Sequence, residues 1–159
     1  MICEDSPILK VCPFCYADAY VSIKKHYDKP YEVQIICTKC GCRCRPFPVQ
    51  NNRPGRLAET VAEAAKHWNS SYILGKDQLH FDVDDLKLIF CPFCHDEGFP
   101  SVYVQRGQGV CVRCTTCGTS TAYFSDGYNA FWQAVDAWNT YRNVNYLQFS
   151  DGKADVRYE

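Results

Sequence analysis

Apolar and polar residues alternate along Ala19-Tyr20-Val21-Ser22-Ile23-Lys24-Lys25 and again along Tyr31-Glu32-Val33-Gln34-Ile35-Ile36. A period of two predicts two half-buried strands. Residues 26–30 lie between them and carry the turn formers Asp28 and Pro30, so the pair reads as a β-hairpin. The plan returns later in the chain. Ser101-Val102-Tyr103-Val104-Gln105-Arg106 is a strand, Gly107-Gln108-Gly109 a turn, and Val110-Cys111-Val112-Arg113 the returning strand. Each hairpin is preceded by a short apolar stretch, Ile8-Leu9-Lys10-Val11 or Leu86-Lys87-Leu88-Ile89-Phe90, and each of these predicts a further short strand.

After each hairpin the period changes. Leu57, Val61, Ala64, Ala65 and Trp68 fall on one face of a helix, and so do Phe131, Ala134, Val135 and Trp138. Ser125 or Asp126 is placed to cap the second helix. Both helices end on Trp-Asn, at Trp68-Asn69 and Trp138-Asn139. Each apolar stripe is expected to pack on its hairpin. The tail has one more candidate strand, Val144-Asn145-Tyr146-Leu147-Gln148-Phe149.

Cysteine spacing turns this pattern into a repeat. Cys12-Pro13-Phe14-Cys15 recurs as Cys91-Pro92-Phe93-Cys94, and Cys37-Thr38-Lys39-Cys40-Gly41 recurs as Cys114-Thr115-Thr116-Cys117-Gly118. Paired C-x-x-C elements joined by a hairpin are the sequence form of a tetrahedral four-thiolate site. Cys12, Cys15, Cys37 and Cys40 form one ligand set; Cys91, Cys94, Cys114 and Cys117 form the other. Pro fixes φ inside the first knuckle of each set. The following Gly permits a tight turn that aims N–H groups at sulfur. Iron could occupy such a site, but zinc is the assignment, with two Zn2+ per chain. A register shift within Cys37, Cys40, Cys42 and Cys44 is the alternative; alignment of Cys40-Gly41 with Cys117-Gly118 selects the set given. Cys3, Cys42, Cys44 and Cys111 are left over and read as small core residues or free thiols.

The expected fold is therefore small, α+β and metal-stabilised. It consists of two tandem zinc-ribbon-like ββα modules, each a knuckle pair with a hairpin and one helix. Residues 1–72 form module 1, 73–85 a linker, 86–142 module 2 and 143–159 a tail. The chain has 159 residues. Each half is small enough to need a staple, and metal supplies one. Twelve cysteines could instead build a secreted disulfide scaffold. The C-x-x-C clustering and an N-terminus without a basic start and apolar run argue for a reducing cytosol.

The formal net charge is −1 with every thiol neutral. A divalent cation on four thiolates leaves a site two units negative, so two sites would bring the total to −5. That balance gives little support to non-specific nucleic-acid binding. Tyr20, Lys24, Lys25, Tyr27 and Tyr31 in the first hairpin, with Tyr103, Arg106 and Arg113 in the second, could nevertheless stack bases. The plainer expectation is that these aromatics fill a thin core. The proline- and arginine-bearing segment 46–56 and the acidic cluster Asp82, Asp84 and Asp85 read as exposed surface.

No catalytic grouping is visible. His26, His67, His80 and His95 lie in unrelated contexts, and His95 reads as a neighbour of the knuckle and not a ligand. No H-x-E accompanies a C-x-x-C in the manner of a zinc deaminase. Four thiolates leave a metal no vacant position for water. A non-enzyme is expected.

Leu9-Lys10-Val11-Cys12-Pro13-Phe14-Cys15, the second knuckle at 37–41 and Trp68-Asn69 resemble the Lar-like restriction alleviation proteins of phages and prophages. So do Cys91-Pro92-Phe93-Cys94, residues 112–118 and Trp138-Asn139. The resemblance touches most of residues 8–70 and 86–142. Family members are typically one short module with Gly after the first knuckle; this chain is tandem and has Tyr16 and His95 there. The resemblance implies a phage anti-restriction or anti-defence protein that binds a host protein of the restriction–modification or related machinery. Only the zinc ligands carry over from the family. The runner-up is a zinc-ribbon regulator that contacts DNA, RNA or host RNA polymerase; a redox switch using Cys42, Cys44 and Cys111 ranks below both.

Overall fold

The computed structural model describes residues 6–50, 55–70, 80–83, 86–89, 91–94, 99–139 and 152–159. The first hairpin is β1 (Ala19–Lys24) and β2 (Glu32–Cys37), antiparallel in the register Ala19↔Cys37 to Lys24↔Glu32. β3 (Phe47–Pro48) adds to the far edge of β2, and α1 (Arg56–Asn69) follows. β4 (His80–Val83) and β5 (Leu86–Ile89) pair antiparallel, so the stretch read as a connection contributes a strand. The second hairpin is β6 (Pro100–Gln105) and β7 (Gly109–Cys114), in the register Pro100↔Cys114 to Gln105↔Gly109. α2 (Ala130–Asn139) follows, and β8 (Val156–Tyr158) runs parallel to β1 with Val156 opposite Val21.

Two expectations are corrected. Of the stretch 8–11 only Lys10 is bridged, and no continuous strand forms there; the N–H and carbonyl of Lys10 are bonded to the end of α1. Neither Ser125 nor Asp126 caps α2. A 3-10 turn over Gly127–Asn129 intervenes, bonded from Asn129 N–H to the Asp126 carbonyl, and the Asp126 side chain makes no capping bond. The tail contributes β8 at Val156–Tyr158, while the segment 144–149 and Cys3, Asp84, Asp85 and His95 lie outside the described residues.

The two hairpins join into one continuous sheet. Arg43 and Ser120, each three residues past the last cysteine of its set, exchange backbone hydrogen bonds of 2.8 and 2.7 Å. Ile36↔Arg43 ties that joint to β2, and Arg113↔Ser120 ties it to β7 in the equivalent way. Phe47 opposite Val33 has its counterpart in Phe124 opposite Val110. An antiparallel exchange between equivalent residues places an approximate twofold axis through the sheet at Arg43 and Ser120.

That axis puts α1 and α2 on the same side of the sheet. α1 packs on β2 and β3; α2 packs on β5, β6 and β7. A single core results. It combines Val21, Ile23, Val33, Ile35, Val61 and Trp68 of the first half with Leu88, Ile89, Val112, Ala134 and Trp138 of the second. The aromatic contacts cross between halves in a reciprocal way. Phe14 of the first knuckle lies 5.5 Å from Trp138, and Phe93 of the second lies 5.1 Å from Trp68. Each knuckle phenylalanine thus covers the other half's helix, so neither half closes its own core.

Glycine makes the joint close. Gly41 and Gly118 have φ of 76° and 81°. A Cβ on Gly41 would stand 2.8 Å from the Ala122 Cβ, and one on Gly118 would stand 2.6 Å from the Arg45 Cβ. Each glycine therefore serves its own knuckle turn and the contact across the axis. Gly118→Ala is expected to cost about 2–4 kcal/mol, from left-handed strain and overpacking together. Urea denaturation would check this; a cost under about 0.5 kcal/mol would contradict the close approach.

Candidate metal centres

Each first knuckle is a tight turn, and in the first set its N–H groups bond back to Cys12. Phe14 N–H lies 3.4 Å from Cys12 Sγ, and Tyr16 N–H donates to the Cys12 carbonyl at 2.9 Å. In the second knuckles Lys39 and Cys40 N–H groups reach Cys37 Sγ at 3.4 and 3.5 Å. Thr116 and Cys117 reach Cys114 Sγ at the same two distances. β1–β2 and β6–β7 then carry the two knuckles of each set together.

The sulfurs of Cys12, Cys15, Cys37 and Cys40 all lie within 4.8 Å of one another, and so do those of Cys91, Cys94, Cys114 and Cys117. Cys12 and Cys40 sulfurs are 3.6 Å apart, and Cys15 and Cys37 are 3.3 Å apart. In the second set Cys91–Cys117 is 3.7 Å and Cys94–Cys114 is 3.8 Å. A tetrahedron with metal–sulfur bonds near 2.3 Å has edges of about 3.8 Å. The donor sets fit a divalent thiophilic ion, so each can hold one metal ion. The eleven described cysteines are all free thiols.

Electrostatics within each set is that of thiols crowded around shared protons. Hydrogen bonding from Cys12 lowers Cys15 to about 6, against the opposing effect of burial. Hydrogen bonds from Cys12 and Cys40 also pull Cys37 far down. Cys12 itself goes far up, through its bonds to Cys15, Cys37, Cys40 and Cys42 and through burial. In the second set Cys117 is driven down by Cys114, Cys91 and Cys94, while burial pushes Cys91 up. A cation satisfies the whole set at once by displacing those protons.

The Trp-Asn dipeptides act directly on the knuckles. Trp68 Nε1–H donates to the Lys10 carbonyl at 2.8 Å, and Asn69 Oδ1 accepts from Lys10 N–H at 2.8 Å. Trp138 Nε1–H donates to the Ile89 carbonyl at 2.8 Å, and Asn139 Oδ1 accepts from Ile89 N–H at 3.1 Å. Lys10 and Ile89 each stand two residues before a first ligand. Each helix end thus clamps both polar groups of one backbone residue and fixes the chain's entry to the metal.

The two centres differ in their surroundings. Cys117 Sγ is 3.1 Å from the Thr119 hydroxyl oxygen, which is 3.2 Å from His67 Nε2. Helix α1 of the first half therefore reaches the second half's metal set through Thr119. The matching position beside the first set is Cys42, buried and close to Cys12 and Cys40. Cys44 is buried deeper, and burial pushes it up to about 12; its sulfur accepts the Ile35 N–H at 3.2 Å. Cys111 is also fully buried. Among the four leftover cysteines, Cys42 and Cys44 are thus core residues, and Cys111 is buried on the opposite face of the sheet beside Arg113 and Tyr123. Sequence reasoning missed Thr119 and His67, which sit fifty-two positions apart and meet only through the twofold pairing.

Tyr16 carries the other local signature. It is the one described non-glycine residue with positive φ, at 65°. The turn after the first knuckle needs the left-handed conformation that glycine adopts freely. Tyr16→Gly is expected to stabilise the fold by about 0.5–1 kcal/mol, the released strain being partly offset by glycine's greater unfolded-state freedom. A melting curve with zinc present would check the sign, and a lower Tm would contradict it.

Among the described residues no helix is long and apolar enough to cross a membrane. Comparison of the chain with protein-family models, with curated proteins and with solved structures gave no match.

Proposed function

We propose that this is a non-catalytic binding protein of the restriction-alleviation type, a pair of ββα zinc-ribbon-like modules held by two structural Zn2+ ions. It would work in the bacterial cytoplasm by occupying a host component of the restriction–modification or related defence machinery. The observation that carries the non-catalytic part is closure of both ligand sets. Each has four convergent sulfurs, and four thiolates fill a tetrahedral zinc with no position left for substrate or water. The anti-defence part rests on the knuckle and Trp-Asn motifs quoted above.

Expression in a restricting bacterial host tests it. Plating of unmodified phage is expected to rise at least tenfold, and affinity capture is expected to recover a restriction or other defence subunit. Unchanged plating together with capture of RNA polymerase alone would instead favour the transcription-regulating reading. A nucleic-acid role has one specific observation behind it, the face of the sheet opposite the helices.

A further inference from the structure

Both helices cover the same side of the joined sheet, and among the described residues no helix packs on the other side. The residues alternating away from the core are mostly polar, basic and aromatic: Tyr20, Ser22 and Lys24 on β1, Glu32 and Gln34 on β2, Arg43 and Ser120 at the joint, Arg113 on β7 and Tyr103 on β6, with Ile36 and Cys111 buried beneath them. At the twofold axis this face dips into a depression of about 360 Å3 lined by Lys24, Gln34, Arg43, Arg45, Arg113 and Tyr123, among others. Its one carboxylate, Glu32, lies 3.5 Å from His26 Nε2. Among the described residues Lys24, Arg43, Arg45 and Arg113 form no ion pair. Their contacts are with neutral groups: Arg43 Nε donates to the Gly41 carbonyl, Arg113 donates to the Tyr123 hydroxyl at 2.8 Å, and Arg45 lies over the Phe47 ring.

Positive charge is therefore concentrated locally. Four cations without an ion pair meet at the joint, while the exposed acids lie elsewhere: Glu59, Glu63 and Asp136 on the helices, and Asp18, Asp28, Asp126 and Glu159 in connections and at the end of β8. A net charge of −1 hides this. Beyond the depression, cation and ring alternate. Arg113 sits 4.8 Å over Tyr103 on one side, and Arg157 of β8, ion-paired with Asp155 at 3.0 Å, sits 3.9 Å over Tyr20 on the other. From β8 to β6 the platform is seven backbone segments wide, about 29 Å at the usual strand spacing.

We propose that this face binds single-stranded nucleic acid, with the phosphodiester backbone crossing the Lys24, Arg43, Arg45 and Arg113 depression and bases stacking on the flanking arginine–tyrosine pairs. Guanidinium forks suit phosphate oxygens, and a flat aromatic sheet suits unpaired bases. A duplex offers its phosphates but not its base faces to a flat platform. The inference goes beyond the anti-defence reading, because it depends on no particular host protein and stands or falls by a separate measurement.

Fluorescence anisotropy with labelled thymidylate and uridylate 15-mers tests it on the zinc-loaded full chain. Binding is expected to weaken roughly twenty- to fiftyfold between 50 and 200 mM salt if three or four phosphates are neutralised. Lys24→Gln combined with Arg45→Gln, both exposed, is expected to weaken binding at least threefold. Adding Arg43→Gln and Arg113→Gln should bring the loss to tenfold or more. A control with Lys29→Gln and Lys66→Gln removes the same charge as the double variant elsewhere and should stay within twofold of wild type. Zinc content and Tm are read on every variant, so that the exposed pair decides if the fourfold variant folds poorly. No binding at 50 mM salt, equal loss in the control, or equal affinity for a 15-base-pair duplex would overturn the proposal. So would binding of polyglutamate in place of the oligonucleotides with the same variant losses, which would assign the face to an acidic protein surface.

Discussion

Cys91→Ser is expected to cost the protein both metal ions and its cooperative fold, not one module. Cys91 is fully buried and supplies one of four sulfurs to the second set. Structural zinc is worth about 10–16 kcal/mol of apparent binding free energy in small modules, against a whole-domain stability of about 5–15 kcal/mol. Losing one ligand therefore removes an amount comparable to the whole. The effect should then spread. Phe93, two residues on, packs on Trp68 at 5.1 Å and on His67 at 5.5 Å, so a disordered second knuckle uncovers α1 of the first half. Loss of the second hairpin also removes Ser120 from Arg43. Metal analysis and circular dichroism would check this. Zinc is expected to fall below one per chain, without a residual cooperative transition. Retention of one tightly held zinc and a sharp half-sized transition would mean that the halves are independent, as their tandem sequence suggests.

Trp138→Ala is expected to be the most damaging change outside the ligands. The side chain is fully buried, touches Phe14 across the twofold axis and clamps Ile89. Cavity formation alone costs about 3–5 kcal/mol. Leaving the Ile89 carbonyl without its donor adds about 1–3 kcal/mol. The sum approaches the full stability of a small domain. Trp138→Phe separates the two parts, since it keeps most of the ring volume and loses only the N–H. It should cost about 1–3 kcal/mol by urea denaturation with zinc present. A cost near zero for the phenylalanine variant would mean that the clamp contributes nothing; a cost equal to that of alanine would mean that ring burial does not matter.

The ligand sets were legible because chelation imposes a local spacing that the sequence repeats twice. The hairpins were legible for the same local reason: Val21, Ile23, Val33 and Ile35 face the helices and alternate with Tyr20, Ser22, Lys24, Glu32 and Gln34 on the other face. What the sequence hid was how the copies meet. Phe14 and Phe93 look like knuckle residues, and Gly41 and Gly118 look like turn residues; each in fact also touches the opposite half. Nothing local distinguishes a residue that serves its own module from one that serves a twofold mate. Trp-Asn was visible as a repeated ending, but its partners lie 58 and 59 positions away in the first half, beyond any periodicity. β4 and β8 were missed because three- and four-residue pairings carry little pattern of their own. Charge was misleading for a related reason. Composition sums over both faces, whereas Arg43, Arg45 and Arg113 converge only after the halves join.

The account turns on metal-held halves that share one core, and native mass spectrometry of the freshly purified chain tests its metal basis most directly. It predicts two zinc ions per chain with no disulfide mass loss, and release of both on acidification in a single step. A chain carrying no zinc and oxidised cysteines, or one that sheds the two ions in well-separated steps with half the protein still folded, would contradict it.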